Sequence, residues 1–174
     1  IDNDNIQDMF IGTGDGTIIY YRNDGTAAIP DWTLITREYG SIDVGTKATP
    51  YFVDIDDDGD LDFFSGNEGG SIYFYRNDGT VSSASWTFVT DSYAAVDVSS
   101  KSSVTFTDLD VDGDYDMFIG EYNGNIHHYR NDGTPSTPSL LLVTNNFESI
   151  DVGYTSKPVF VDIDDDNDPD LFVG

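Results

Sequence analysis

The chain has no cysteine, only two histidines, only seven basic residues and no run of 18 apolar residues. Each shortage excludes something. Without cysteine and with so little histidine, the usual zinc ligand sets cannot be assembled. The lack of disulfides does not argue against secretion, because a bound cation can staple loops instead. With 33 acidic residues against seven basic ones and a formal charge of −26, the chain is a poor partner for nucleic acid, whose phosphates need a basic surface. No segment is apolar enough to insert in a membrane as a helix. The first residues carry no secretory signal, as expected of a mature or excised chain. No segment keeps a helical period, and proline falls only in loops and at strand starts.

What is present is acid in a fixed pattern. Asp54-Ile-Asp56-Asp57-Asp58-Gly59-Asp60-Leu-Asp62 recurs 54 residues later, from Asp108 to Asp116, and again from Asp162 to Asp170. A truncated fourth copy, from Ile1 to Asp8, opens the chain. Carboxylates at positions 1, 3, 5 and 9 of a tight loop can converge on one hard cation, with a backbone carbonyl at position 7 as a further donor. The expected calcium ligands are therefore Asp54, Asp56, Asp58 and Asp62 with the carbonyl of Asp60. The second set is Asp108, Asp110, Asp112 and Asp116 with the carbonyl of Asp114. The third is Asp162, Asp164, Asp166 and Asp170 with that of Asp168. The truncated set is Asp2, Asp4 and Asp8 with the carbonyl of Ile6. Position 6 needs a sharp turn, which Gly59 and Gly113 allow and which Asn167 tolerates next best. The loop is not an EF-hand, since it lacks the glutamate at position 12 and is flanked by strand-like segments. Four carboxylates and a carbonyl suit the large, flexible calcium sphere better than the small octahedron of magnesium. Four like charges so close together imply that metal binding and loop folding are coupled.

The 54-residue period runs through the whole chain. Arg-Asn-Asp-Gly-Thr stands verbatim at 22–26, 76–80 and 130–134. Trp32 and Trp86 fall in step, as do Tyr39, Tyr93 and Phe147. Each unit reads as four short strands; around the first full loop these are about 49–54, 61–66, 71–76 and 86–90. The Asn-Asp-Gly between the last two is a hairpin signal. The fold class expected is all-β, with propeller-like four-stranded blades. The divisions are a partial first blade at 1–48 (strands two to four), full blades at 49–102 and 103–156, and the start of a further blade at 157–174. Because the truncated first copy falls inside a ligand loop, the chain reads as a segment of a longer repeat protein, either a larger closed ring or an open fibre.

The Asp-x-Asp-x-Asp-Gly-x-x-Asp loop between two strands resembles the calcium loop of FG-GAP/VCBS repeats, which build the propellers of integrin α-subunits and of many secreted bacterial proteins. The resemblance covers the chain. It implies a propeller fold with calcium in the loop of each blade, but no single function, since the scaffold hosts binding proteins and enzymes alike.

Other features have ordinary readings. His127 and His128 take a strand place held by Tyr and Phe in other units and read as structural. Arg22, Arg76 and Arg130 are expected to pair with an acidic residue of the same or next unit, such as Asp43, Asp97 or Asp151. Trp32 and Trp86 read as blade packing, with sugar stacking as the rival. The Thr134–Ser139 tract reads as a loop, with an O-glycan acceptor as the rival. No nucleophile–base pair appears. The function expected is non-enzymatic: a calcium-stabilised extracellular repeat at a bacterial surface, structural or adhesive, whose partners are neighbouring copies or further repeats of the same chain. The alternative is a propeller that binds glycans or degrades a polysaccharide with calcium.

Overall fold

Alternating aromatic and polar residues, cut by glycine-rich turns, fold into short antiparallel strands. The structure is a computed structural model that describes residues 1–164, 166 and 168–174. The first sheet holds β1 (Met9–Gly12), β2 (Ile18–Asn23) and β3 (Trp32–Thr36). The second is a meander of β4 (Thr49–Val53), β5 (Asp62–Gly66), β6 (Ile72–Asn77) and β7 (Trp86–Thr90). The third repeats it with β8 (Ser103–Thr107), β9 (Asp116–Gly120), β10 (Ile126–Asn131) and β11 (Leu140–Thr144). A pair, β12 (Pro158–Val161) and β13 (Asp170–Val173), follows. These four-stranded sheets, repeating every 54 residues, are propeller-like blades, and the described residues form no closed barrel.

Burial is graded across each blade. All five residues of β5 and of β9 are buried, whereas the fourth strands β7 and β11 are mostly exposed. The core lies between blades and repeats with them. Phe64 stacks on Phe74, Tyr93 meets the pair edge-on, and Phe106 of the next blade closes the group. Phe10, Tyr20, Tyr39 and Phe52 form the same quartet one unit earlier, and Phe118, His128, Phe147 and Phe160 one unit later. Such ring pairs add roughly 0.5–1.5 kcal/mol each beyond the area they bury. His128 is thus a core ring, stacked on Phe118 at 4.5 Å. Trp86 packs against Tyr39 of the preceding blade and Phe52 and Phe63 of its own. Trp32, its counterpart, is 42% exposed.

Inner strands touch across blades. The Tyr51 hydroxyl in β4 donates to the Phe106 carbonyl in β8 at 3.0 Å, and Thr49 Oγ1 donates at 3.1 Å to the carbonyl of Ser102, the residue that leads into β8. Phe10, Thr49, Ser103 and Val159, from four successive units, line one cavity of about 340 Å³. Successive units therefore turn about a common axis. The loop after β5 is tied on both sides: Asn67 Nδ2 donates to the Val44 carbonyl behind it, and the Asn67 amide to Ser102 Oγ ahead of it.

One unit replaces that asparagine with Glu121, which is 2% exposed. It accepts hydrogen bonds from Ser99 Oγ, from the amide and Nδ2 of Asn123 at 3.0 Å, and from Asn125 Nδ2 at 3.1 Å. Burial pushes its carboxyl up, but these donors outweigh burial and hold it below the usual range. Its contribution is present above the unfolded pKa and lost as pH falls through the depressed one. Glu121→Ala is expected to cost about 2–3 kcal/mol and Glu121→Gln about half that, since alanine leaves several buried donors unpaired. Urea unfolding checks the order; equal losses would mean that the hydrogen bonds are not what holds this loop.

Arg22, Arg76 and Arg130 each take an acidic partner of their own unit, though among the described residues not Asp43, Asp97 or Asp151. Their Nε atoms bond Asp24, Asp78 and Asp132 at 2.6–2.7 Å, because residues two apart in extended chain share a side. Asp43 and Asp151 instead accept the amides of Gly45 and Gly153. Asn-Asp-Gly opens the connection of the β6–β7 hairpin: Asn77 ends the strand, and the loop runs from 78 to 85.

Candidate metal centre

Each acidic loop joins the first strand of a unit to the second. Register places Val53 opposite Asp62 at its base, so the loop is clamped where β4 and β5 pair. Its shape comes from carboxylates accepting the loop's own amides. Asp54 accepts from Asp58 and Gly59 at 3.1 and 2.9 Å, and Asp58 accepts from Asp60 at 3.0 Å. The next loop repeats this with Asp108, Asp112, Gly113 and Asp114. In the third, Asp162 accepts from Asp166 and Asp166 from Asp168.

The turn requires two left-handed residues. Gly59 and Gly113 hold φ of 94° and 98°, as the sequence suggests, and Asn5 holds 65° at the same place. Asn167 lies outside the described residues. Position 4 is left-handed too, at Asn3, Asp57 and Val111, with φ of 63°, 59° and 60°. A β-branched residue there is strained by roughly 1–2 kcal/mol.

The result is three gathered triads. Asp54, Asp56 and Asp58 each place a carboxylate oxygen within 4.8 Å of the others, as do Asp108, Asp110 and Asp112, and Asp162, Asp164 and Asp166. Among the described residues, Asp2, Asp4 and Asp8 form no such group. Asp8 accepts from the Asn23 amide, the Tyr20 hydroxyl and the amino terminus.

The position-9 aspartates sit deeper. Asp62 and Asp116 open β5 and β9 and are almost fully buried. One oxygen of each accepts the amide of Asn77 or Asn131 at 2.8 Å. The other oxygen of Asp62 is buried with no hydrogen-bond partner, as are one oxygen each of Asp56, Asp60 and Asp114. Asp170 is exposed, and its Oδ2 accepts the Ile163 amide at 3.2 Å.

Such a set is uncomfortable when fully ionised. Burial, reinforced by Asp56 and Asp58, pushes Asp62 up to about 7 against its backbone hydrogen bonds. Burial and neighbouring carboxylates also raise Asp56, Asp60 and Asp114. Burial raises Asp116 and lowers its neighbour His128, so that pair, 3.7 Å apart, favours neutral forms. Buried carboxylate oxygens without donors, beside clustered like charges, are the arrangement a hard cation relieves.

The asparagine of Arg-Asn-Asp-Gly-Thr is a hub that sequence reasoning missed. Asn77 donates its amide to Asp62, while its Oδ1 accepts the amides of Gly79 and Ser85. It thereby ties the metal loop to the β6–β7 loop. The verbatim recurrence of that pentapeptide was the available signal.

A family model described as an FG-GAP-like repeat matches residues 1–65, 54–119 and 108–173. The chain belongs to the FG-GAP-like repeat family. Each matched FG-GAP-like segment runs from one acidic loop through the second strand after the next, so neighbouring segments share a loop and a strand. In this FG-GAP-like chain β1, β5 and β9 end on Phe-x-Gly at Gly12, Gly66 and Gly120, and Gly174 follows β13 in the same motif. No curated protein and no solved structure matches the chain. The three triads could hold a metal ion, and among the described residues no helix is long and apolar enough to cross a membrane.

Proposed function

We propose that this chain is a calcium-stabilised repeat module that acts outside the cell in a structural or adhesive role, as part of a larger propeller or surface fibre, and not as an enzyme. The observation that carries the reading is the buried, unpartnered oxygen of Asp62 beside the triad of Asp54, Asp56 and Asp58. Those four side chains and the Asp60 carbonyl would hold one ion. Asp108, Asp110, Asp112, Asp116 and the Asp114 carbonyl would hold a second. Asp162, Asp164, Asp166, Asp170 and the Asp168 carbonyl would hold a third. Calcium supplies charge neutralisation and oxygen coordination, and the protein's own residues then lock each loop onto the base of its blade. Sites in surface loops suit the millimolar calcium of the extracellular space, at roughly 10⁻⁴–10⁻³ M affinity. Neighbouring copies or further repeats of the same chain are the natural partners, because each blade buries its aromatic core against the next.

Calorimetric titration of metal-free protein tests this. Calcium should bind at three sites, magnesium more weakly, and Asp56→Asn or Asp110→Asn should each remove one site. A flat calcium titration, or a stoichiometry indifferent to these substitutions, would sink the reading.

A further inference from the structure

A second feature lies at the opposite end of the blades. The first strands are five residues long, so their starting ends stand about 15 Å from the acidic loops. There, near the common axis, is a cavity of about 230 Å³. Its wall includes all three lysines of the chain, Lys47, Lys101 and Lys157, with the hydroxyl-bearing Thr13, Thr49 and Thr155. No acidic residue lines it. In a chain with 33 acidic residues and three lysines, that sorting is the reverse of what composition would supply.

The wall is drawn from four successive units, so it exists only because the units turn about one axis. Lys47, Lys101 and Thr155 occupy the same place in successive units, each left-handed, with φ of 51°, 54° and 58°. Glycine would hold that conformation with least strain, yet the chain keeps a long cation there twice. Two of the cations are partly engaged: Lys47 pairs with Glu68, and the Lys101 ammonium stands 4.6 Å over the Tyr122 ring. Lys157 has no carboxylate partner among the described residues. Three of the four arginines, by contrast, are tied to turn aspartates.

We propose that this cavity is a binding site for an oxyanion, a carboxylate or sulfate, carried either free or on an acidic sugar. Ammonium groups and hydroxyls are the donors such a group needs. Beside the wall, the Tyr122 and Tyr154 rings lie 5.6 Å apart, tilted by 52°, and the largely exposed Tyr154 ring offers an apolar face against which a sugar ring can rest.

The test is calorimetry on the calcium-loaded full chain with two probes, sodium sulfate and a galacturonate trimer. At least one should bind, and Lys101→Gln/Lys157→Gln should weaken it tenfold or more, while Lys157→Arg retains it. Arg37→Gln removes a cation that lies outside the wall; it is the control and should leave binding unchanged. Equal affinity for both probes identifies a free anion as the ligand, and a clear preference for the trimer identifies a saccharide. Melting curves establish that the lysine variants are folded. No binding of either probe, or binding that the lysine substitutions do not weaken, as coordination to calcium would give, overturns the proposal.

Discussion

Stripped of metal, the protein is expected to melt at a higher temperature at pH 5 than at pH 8, and saturating calcium to reverse that order. The first half follows from the acidic loops alone. The Asp62 carboxyl, ordinarily near 3.8, is pushed up to about 7 in the folded chain, and Asp56, Asp60, Asp114 and Asp116 are raised as well. A carboxyl whose folded pKa is raised stabilises the fold below its unfolded pKa, and that contribution is lost as pH rises through the folded value. For Asp62 the loss spans pH 4 to 7 and amounts to roughly 2 kcal/mol after allowance for solvent screening. Calcium requires the same carboxyls deprotonated, so its own contribution grows over that window. At a hundredfold excess over its dissociation constant an ion adds about 2.7 kcal/mol per site, hence roughly 8 kcal/mol for three. In a chain of this size that raises Tm by about 20 °C. Circular dichroism melts in chelator and in calcium, at both pH values, read this directly. A metal-free Tm that climbs from pH 5 to pH 8, or a calcium effect no larger at pH 8 than at pH 5, would contradict it.

Gly66→Ala is expected to be the most damaging single-methyl change in the inter-blade contact. The reason is not backbone conformation but proximity. A Cβ on Gly66 would lie 2.1 Å from the Ser102 carbonyl oxygen and 2.5 Å from its carbon. Those atoms are backbone of the connection that leads directly into β8 of the next blade and cannot rotate away, so that blade must move off its neighbour. Gly12 meets Ala48 and Gly120 meets Ser156 in the same way. Overpacking of this kind costs about 3 kcal/mol, the upper end of the usual range. Gly120→Ala acts at the following junction, so the double variant should lose close to the sum. Gly14→Ala is the control. Its Cβ would meet nothing within 4 Å, and the change should fall within about 1 kcal/mol of neutral. Denaturant midpoints decide; a Gly66 variant as stable as the Gly14 variant would mean that the blades are not held as tightly as described.

Much of this architecture could be read from the chain because its signals are local and repeat. The aspartate ladder, the period and the strand alternation each lie within a few residues, and the three triads form where the ladder puts them. What could not be read depends on distant partners. The Asn67 amide finds Ser102 Oγ 35 residues away, and Asn77 reaches Asp62 across 15. Nothing near either residue announces that bond. The aromatic quartets were visible as aligned rings but not as a core shared between blades, since Phe106 belongs to the next unit. The left-handed Val111 was hidden for another reason: a β-branched residue is the last one expected there. The arginines pair within their own unit as expected, but with the nearest aspartate, because two-residue proximity outcompetes a longer reach.

The loop at Asn67, bound to Val44 on one side and Ser102 on the other, has a mechanical consequence. A pull on the two ends of the chain would not load one blade alone. It would pass through these double-sided ties, so each blade would yield only after its grip on a neighbour slipped. Each release would pay out 54 residues, on the order of 180 Å of extended chain. A module built this way would let out length in steps under tension instead of snapping.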